Sequence, residues 1–156
     1  MNIRRAEKKD IPALLRLLEQ VLDIHHTGRP DIFRPHTKKY NEEELCALLR
    51  DEKTPIFVAE EGEILGYAFC ILQQWKDHSL FQDRKSLYID DLCVDEGCRG
   101  QGVGRALFSF VKDYADSLSC HSITLNVWAL NENALKFYIA LGMEPQKYVM
   151  EQKLGK

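Results

Sequence analysis

Ser86-Leu87-Tyr88-Ile89-Asp90-Asp91-Leu92-Cys93-Val94, followed after a short loop by Arg99-Gly100-Gln101-Gly102-Val103-Gly104-Arg105, is the stretch that decides the fold. Residues 86–94 are apolar on both faces apart from two adjacent aspartates, the pattern of a strand in the middle of a sheet. Beyond the glycines, Val103, Ala106, Leu107, Phe110, Val111, Tyr114, Ala115 and Leu118 recur at helical spacing, so an amphipathic helix follows. A strand that ends in a glycine-rich turn and opens into a helix presents unpaired backbone N–H groups at the positive end of the helix dipole, which suits a pyrophosphate. Gly102 and Gly104 remove bulk where a phosphate must come close, and Arg99 and Arg105 add charge. Two nucleotide-binding folds fail on spacing. The Walker loop needs a Gly-Lys-Ser/Thr ending, where this chain has Gly104-Arg105-Ala106. The dinucleotide fingerprint needs a third glycine, where this chain has Leu107.

Working towards the N-terminus, Ile64 to Trp75 and Pro55 to Glu60 read as two strands joined at Glu61-Gly62-Glu63, an antiparallel hairpin. Asn41 and Glu44 form a capping box ahead of a short helix through Leu45, Leu48 and Leu49. Residues 26–35 hold two prolines and a glycine and read as a loop. Before it, Asp10 is expected to cap a helix carrying Ile11, Leu14, Leu15, Leu18, Val21 and Leu22 on one face and ending near His25. Residues 2–6 supply a first strand. Towards the C-terminus, residues 123–128 are strand-like, Asn131 caps a helix that Gly142 stops, and a last strand is expected over about 147–154. The order β-α-α-β-β-β-α-β-α-β describes one α/β domain over residues 1–156, a mixed central sheet with helices on both faces.

Composition narrows the class. Hydrophobic residues at 45% and charged residues at 29% fit a globular protein, and no apolar run approaches the roughly 20 residues of a membrane span. The first ten residues turn charged before a signal-peptide core accumulates, so the cytoplasm is the expected compartment. Cys46, Cys70, Cys93, Cys98 and Cys120 are odd in number and contain no C-x-x-C pair, which indicates neither a disulfide framework nor zinc. His25 and His26, adjacent at a helix end, point in different directions and lack a third ligand at useful spacing, so no metal is expected. A net charge of -3 with interspersed signs lacks the basic stripe of a nucleic-acid binder.

The loop Arg99-x-x-Gly102-x-Gly104 resembles the coenzyme A loop of the Gcn5-related N-acetyltransferases, the GNAT superfamily, and the likeness extends to the element order, the strand before the loop and residues 126–142. The resemblance implies a GNAT-like fold, acetyl-CoA as co-substrate and an amine acceptor. It implies that the backbone of Leu92, Cys93 and Val94 pairs with the pantetheine arm. It implies further that the amides of Arg99, Gly100, Gln101, Gly102, Val103 and Gly104 hold the pyrophosphate, with Arg105 beside them, and that Asn131, with Asn133 as second candidate, contacts the coenzyme.

An alkylammonium, with a pKa near ~10, must lose its proton before it attacks a thioester, and a carboxylate is a suitable acceptor. The resemblance favours Asp90, four positions before Val94, as that base, with Asp91 contacting substrate. A regular pleat sends the two carboxylates to opposite faces, and the bulge near Leu92 that the resemblance implies changes which one meets the cleft. Tyr138, in Phe137-Tyr138 after Asn131-x-x-Ala134, matches the family's general acid for the coenzyme thiolate. Cys93 stands near the expected thioester, but transfer is read as direct, without an acyl-enzyme. His26 and Phe33, in the loop after the first helix, are candidate acceptor contacts, and Trp75, Trp128 and Tyr40 are aromatics of the same potential use. The expected function is acetylation of a small cationic amine. Acetylation of a protein N-terminus or lysine is the alternative, and a non-catalytic coenzyme A module is a further one. A homodimer is plausible by resemblance.

Overall fold

Five strands form one mixed sheet in chain order: β1 (Asn2–Arg5), β2 (Ile56–Glu61), β3 (Glu63–Trp75), β4 (Arg84–Val94) and β5 (Ser122–Leu125). Neighbours β1 to β4 pair antiparallel, and β4 pairs parallel with β5. The parallel step follows from α3 (Val103–Ser117), a crossover between the two strands. The structure, a computed structural model, describes residues 1–155, and its backbone divides at Asn126 into two units that are taken in turn.

In the first unit helices cover both faces of the sheet. On one face α1 (Ile11–Gly28) and α2 (Glu42–Arg50) bury Leu14, Leu17, Leu18 and Leu45 against Ile56, Val58, Tyr67, Phe69 and Cys93. On the other, Phe57 meets Phe110 and Tyr114 of α3 edge-on, with ring centroids 5.1 and 5.0 Å apart. The alternation of Phe57 and Val58 along one strand thus feeds two cores. From Ile64 to Cys70 β3 is buried without interruption, as a strand covered on both sides requires. Gly62, at φ +79°, makes the hairpin turn, and the Asn41–Glu44 capping box opens α2 as expected. No helix of the described residues is long and apolar enough to cross a membrane.

Three local expectations are corrected. Asp10 stands at the start of α1 but does not cap that helix with its side chain, closing a capping box with Glu7 on the short 3-10 turn before it. Its carboxylate instead accepts two hydrogen bonds from Arg4, at 2.8 and 2.9 Å, and one from the Glu7 N–H. A bidentate guanidinium is a stronger partner than a helix N–H. Second, α1 runs on to Gly28, three residues past His25, because nothing between them breaks a helix. Third, in the second unit, α4 (Glu132–Ala140) is followed by no regular element: the strand expected over 147–154 has no ladder partner among the described residues. Tyr148, Val149, Met150 and Leu154 are 81, 91, 87 and 88% exposed. Apolar content alone makes no strand without a neighbour to pair with.

Arg4 also holds Glu60 through hydrogen bonds of 2.9 and 3.1 Å, so it joins the first strand, the second strand and the start of α1. Asp10 is 4% exposed. Burial acts to raise its pKa, but the Arg4 hydrogen bonds and the Glu7 N–H outweigh it and hold the carboxyl below its ordinary range. Arg4→Met leaves this carboxylate buried and unpaired, and is expected to cost about 3 kcal/mol near neutral pH, measured by denaturant unfolding. A lowered carboxylate stabilises the fold above its ordinary pKa and loses that contribution as pH falls through the lowered value. The gap between wild type and variant should therefore close in acid.

Candidate functional site

The register of β3 on β4 slips once at the aspartates. Phe69 pairs with Asp91 and Cys70 with Ile89, which leaves Asp90 as the extra residue of a β-bulge. The pairing of β4 with β5 ends at the same point, since Ile89 with Leu125 is the last couple, while β3 accompanies β4 to Val94. One backbone edge of β4, from Asp90 to Val94, therefore has no strand beside it. Such an edge offers an extended ligand a row of N–H and C=O groups. The bulge expected near Leu92 thus falls two residues earlier.

That shift undoes the alternation of Asp90 and Asp91. Asp90 Oδ2 accepts from Lys39 Nζ at 3.0 Å and from the Tyr40 hydroxyl at 3.3 Å. Asp91 Oδ2 accepts from the Tyr67 hydroxyl at 2.7 Å, and the Lys39 charge acts on both carboxylates. Tyr40 lies parallel to Phe69 at 5.7 Å and Tyr67 meets Phe69 edge-on at 4.8 Å, so an aromatic floor underlies the pair. Burial pushes the Asp91 carboxyl above its ordinary value, with Lys39 and the Tyr67 hydroxyl opposing and Asp90 reinforcing the rise. Burial, then the Asp91 charge, drives the Tyr67 phenol far above its ordinary value, so it stays a donor. The same two causes push the Cys93 thiol up to about 12. A thiol so protonated is a poor nucleophile, which accords with direct transfer.

The loop after β4 has the backbone its glycines demand. Gly100 and Gly102 sit at φ +77° and +83°, where a side chain would be strained. No side chain caps the first turn of α3, so its leading N–H groups remain for an anion. Asp95 fastens the loop, accepting from the Gly97 N–H at 3.0 Å and pairing with Arg16 of α1, while Gln20 of α1 accepts from the Glu96 N–H at 3.2 Å. Arg16 chiefly, and then the Gly97 N–H, hold the Asp95 carboxyl low. Arg99 and Arg105 are exposed, with Arg99 Nε 3.4 Å from the Val94 carbonyl. Gly66 has a different task. A Cβ there would stand 2.6 Å from the Cys93 carbonyl oxygen, so its absence lets β3 and β4 close up at the end of the open edge.

The loop after α1 folds back on its own helix. His26 Nδ1 lies 2.9 Å from the Phe33 carbonyl, and the His25 and Phe33 rings are 5.0 Å apart. Burial lowers the His25 pKa, and the Asp91 charge works against it, which puts His25 within electrostatic reach of the pair. Of the other aromatics, Trp75 lies under the Arg84 guanidinium at 4.1 Å, a packing role. In the second unit Asn131 Oδ1 accepts from the Ala134 N–H at 3.1 Å and caps α4, Asn133 is exposed, and the half-buried Tyr138 ring meets Phe137 edge-on at 5.1 Å. Sequence reasoning passed over Lys39, Tyr67, Gly66 and the Arg16–Asp95 anchor. Gly66 carried a signal, being a lone glycine inside an apolar strand. The others became partners only through contacts 24 to 79 residues apart in the chain.

The profile of the acetyltransferase (GNAT) family matches residues 18–143. A tyramine N-feruloyltransferase of Nicotiana tabacum is 27% identical over 85% of this chain, which spans only 59% of the tobacco enzyme. The thialysine N-epsilon-acetyltransferase of Bos taurus is 26% identical, with 91% of this chain and 83% of that protein covered. Among solved structures, a variant of a Bacillus halodurans protein superposes with a TM-score of 0.94 at 36% identity, covering 99% of both chains. An aminoglycoside acetyltransferase from a soil metagenome shares the fold, with a TM-score of 0.75 at 21% identity over 99% and 96% of the chains.

Two outcomes follow from this geometry. A buried carboxyl with a raised pKa contributes its stability below the ordinary value of 3.8 and loses it as pH rises through the raised one. Asp91→Asn, which keeps an acceptor for Tyr67, is therefore expected to raise Tm near neutral pH, with the gain vanishing in acid. Gly66→Ala drives a methyl against the backbone of β4 and is expected to lower Tm by several degrees, at roughly 2–4 °C per kcal/mol for a chain of this size.

Proposed function

The chain belongs to the acetyltransferase (GNAT) family, and from that premise we propose that it moves an acetyl group from acetyl-CoA directly to the primary amine of a small cationic molecule. The observation that carries the reading is the unpaired edge of β4, Asp90 to Val94, running into a loop whose left-handed glycines precede an uncapped helix. An extended arm suits the edge at Leu92, Cys93 and Val94, and a pyrophosphate suits the amides of residues 99–104 with Arg99 and Arg105 alongside. Acetyl-CoA supplies the acetyl group as a thioester. Asn131, and Asn133 beside it, are assigned to the coenzyme on their position before α4.

The two carboxylates divide the work on the amine. Asp90 binds the incoming ammonium, as it binds Lys39. Asp91, whose carboxyl is held above its ordinary value by burial, takes the proton. The family likeness alone suggests Asp90 as the base and Asp91 as the substrate contact; the exchange proposed here rests on the buried Asp91 carboxyl and on the Lys39 ammonium lying against Asp90. A backbone N–H near Val94 steadies the oxyanion, and Tyr138 gives a proton to the departing thiolate. His26 and Phe33 shape the acceptor side through the loop they brace. Relatives named for tyramine and thialysine support an amine acceptor. The reading takes residues 1–156 as one catalytic domain working in the cytoplasm.

Thiol release from acetyl-CoA, followed across a panel of diamines, arylalkylamines and amino-terminal peptides, tests the proposal. Turnover is expected with the small cations, and kcat is expected to fall about a hundredfold in Tyr138→Phe and in Asp91→Asn. Binding of acetyl-CoA with no turnover across the panel would make the chain a coenzyme-binding module, and full activity of Tyr138→Phe at neutral pH would remove that residue from the acid role.

A further inference from the structure

The acidic pair already holds a primary ammonium. Lys39, on the loop between α1 and α2, reaches across 51 residues of sequence to set its Nζ 3.0 Å from Asp90 Oδ2. Its neighbour Tyr40 donates to the same oxygen at 3.3 Å and lies over Phe69, so backbone and side chain bring the lysine to this place together. Chemically, the end of a lysine is the protonated form of the acceptor that the proposed reaction consumes. Resting on that reading, we propose that Lys39 is a tethered stand-in for the acceptor: its ammonium occupies the carboxylates until a free cationic amine displaces it, and it thereby raises the amine concentration at which the site fills.

The strength of the contact fits a displaceable occupant. The Lys39 side chain is 33% exposed and that of Asp90 23%, and an ion pair this open to solvent shifts an equilibrium by at most about fivefold. A permanent brace would be buried, as Asp10 is beneath Arg4. The chain around Lys39 is also lightly held. His36 sits at φ +51°, residues 36–39 are exposed, and the regular structure of α2 begins only at Glu42. An amine must therefore overcome a competitor that is always present, and its apparent affinity falls by the fraction of molecules in which Lys39 holds the site. Because the tether must leave before any acceptor sits on Asp90, it lowers the apparent affinity of every cationic amine by the same factor, and a dication's advantage over a monocation comes from the two carboxylates themselves. A neutral amine gains nothing from taking its place.

The test uses the full chain, wild type beside Lys39→Met and Lys39→Arg, with 1,3-diaminopropane and propylamine as acceptors. Removing the competing charge in Lys39→Met is expected to lower KM for both amines by the same factor, up to about fivefold, with the preference between them and KM for acetyl-CoA unmoved. Lys39→Arg keeps the charge and should stay near wild type. Independently of catalysis, calorimetric titration with 1,3-diaminopropane should show up to about fivefold tighter binding to Lys39→Met than to the wild type, with Lys39→Arg near the wild type. A KM that rises or stays fixed in Lys39→Met, or diamine binding that is not tightened, overturns the proposal. If no amine is turned over by any variant, the acetyltransfer reading fails instead, and the titration still decides whether Lys39 competes with the diamine.

Discussion

The surplus residue at Asp90 is the constraint on which the rest of the site depends. A strand flanked on both sides has every backbone group engaged and offers a ligand nothing. Inserting one residue against β3 bends β4 and raises its twist, and its pairing with β5 ends at the same residue. The strand then keeps one neighbour and loses the other. Around this one irregularity lie an open backbone edge, two carboxylates under the charge of one lysine, and a strand end that runs into the glycine loop.

Such a bulge is tolerable only because its surroundings are rigid. The aspartates lie over Tyr67 and Phe69, in a strand buried on both faces, and the buried hydroxyl of Tyr67 answers the buried oxygen of Asp91. Asp95 ties the loop to α1 through Arg16 and Gln20, so the strand end and the helix across the sheet are held as one piece. Far from the site, Arg4 between Asp10 and Glu60 does similar work, joining elements that are distant in sequence through one buried carboxylate and one partly exposed one. Asp10 lies beneath its guanidinium, whereas Lys39 meets Asp90 from an exposed loop.

Much of this was legible in the residues themselves, for reasons of local physics. Helical spacing from Val103 to Leu118, the Asn41–Glu44 box and the turn at Gly62 depend on neighbours within a few positions, and each element stands where its pattern puts it. The glycine loop was legible because left-handed backbone at Gly100 and Gly102 is a local demand. Asp10 was misread because its partner, Arg4, competes for the carboxylate across a turn that the capping rule ignores. The segment at 147–154 was misread because its apolar residues match a strand, whereas pairing requires a second strand alongside.

The residues alone were enough for the class of fold, the family and the course of the glycine loop, because period, capping and backbone strain act over short ranges of chain. What surrounds the acidic pair came from the fold alone. A register slip is a property of two strands together, so nothing in Ile89-Asp90-Asp91-Leu92 alone says which residue Phe69 will oppose. Nor does anything in the loop before α2 announce that Lys39 will come to rest on Asp90, since that contact exists only once the sheet has brought residues 51 positions apart within 3.0 Å.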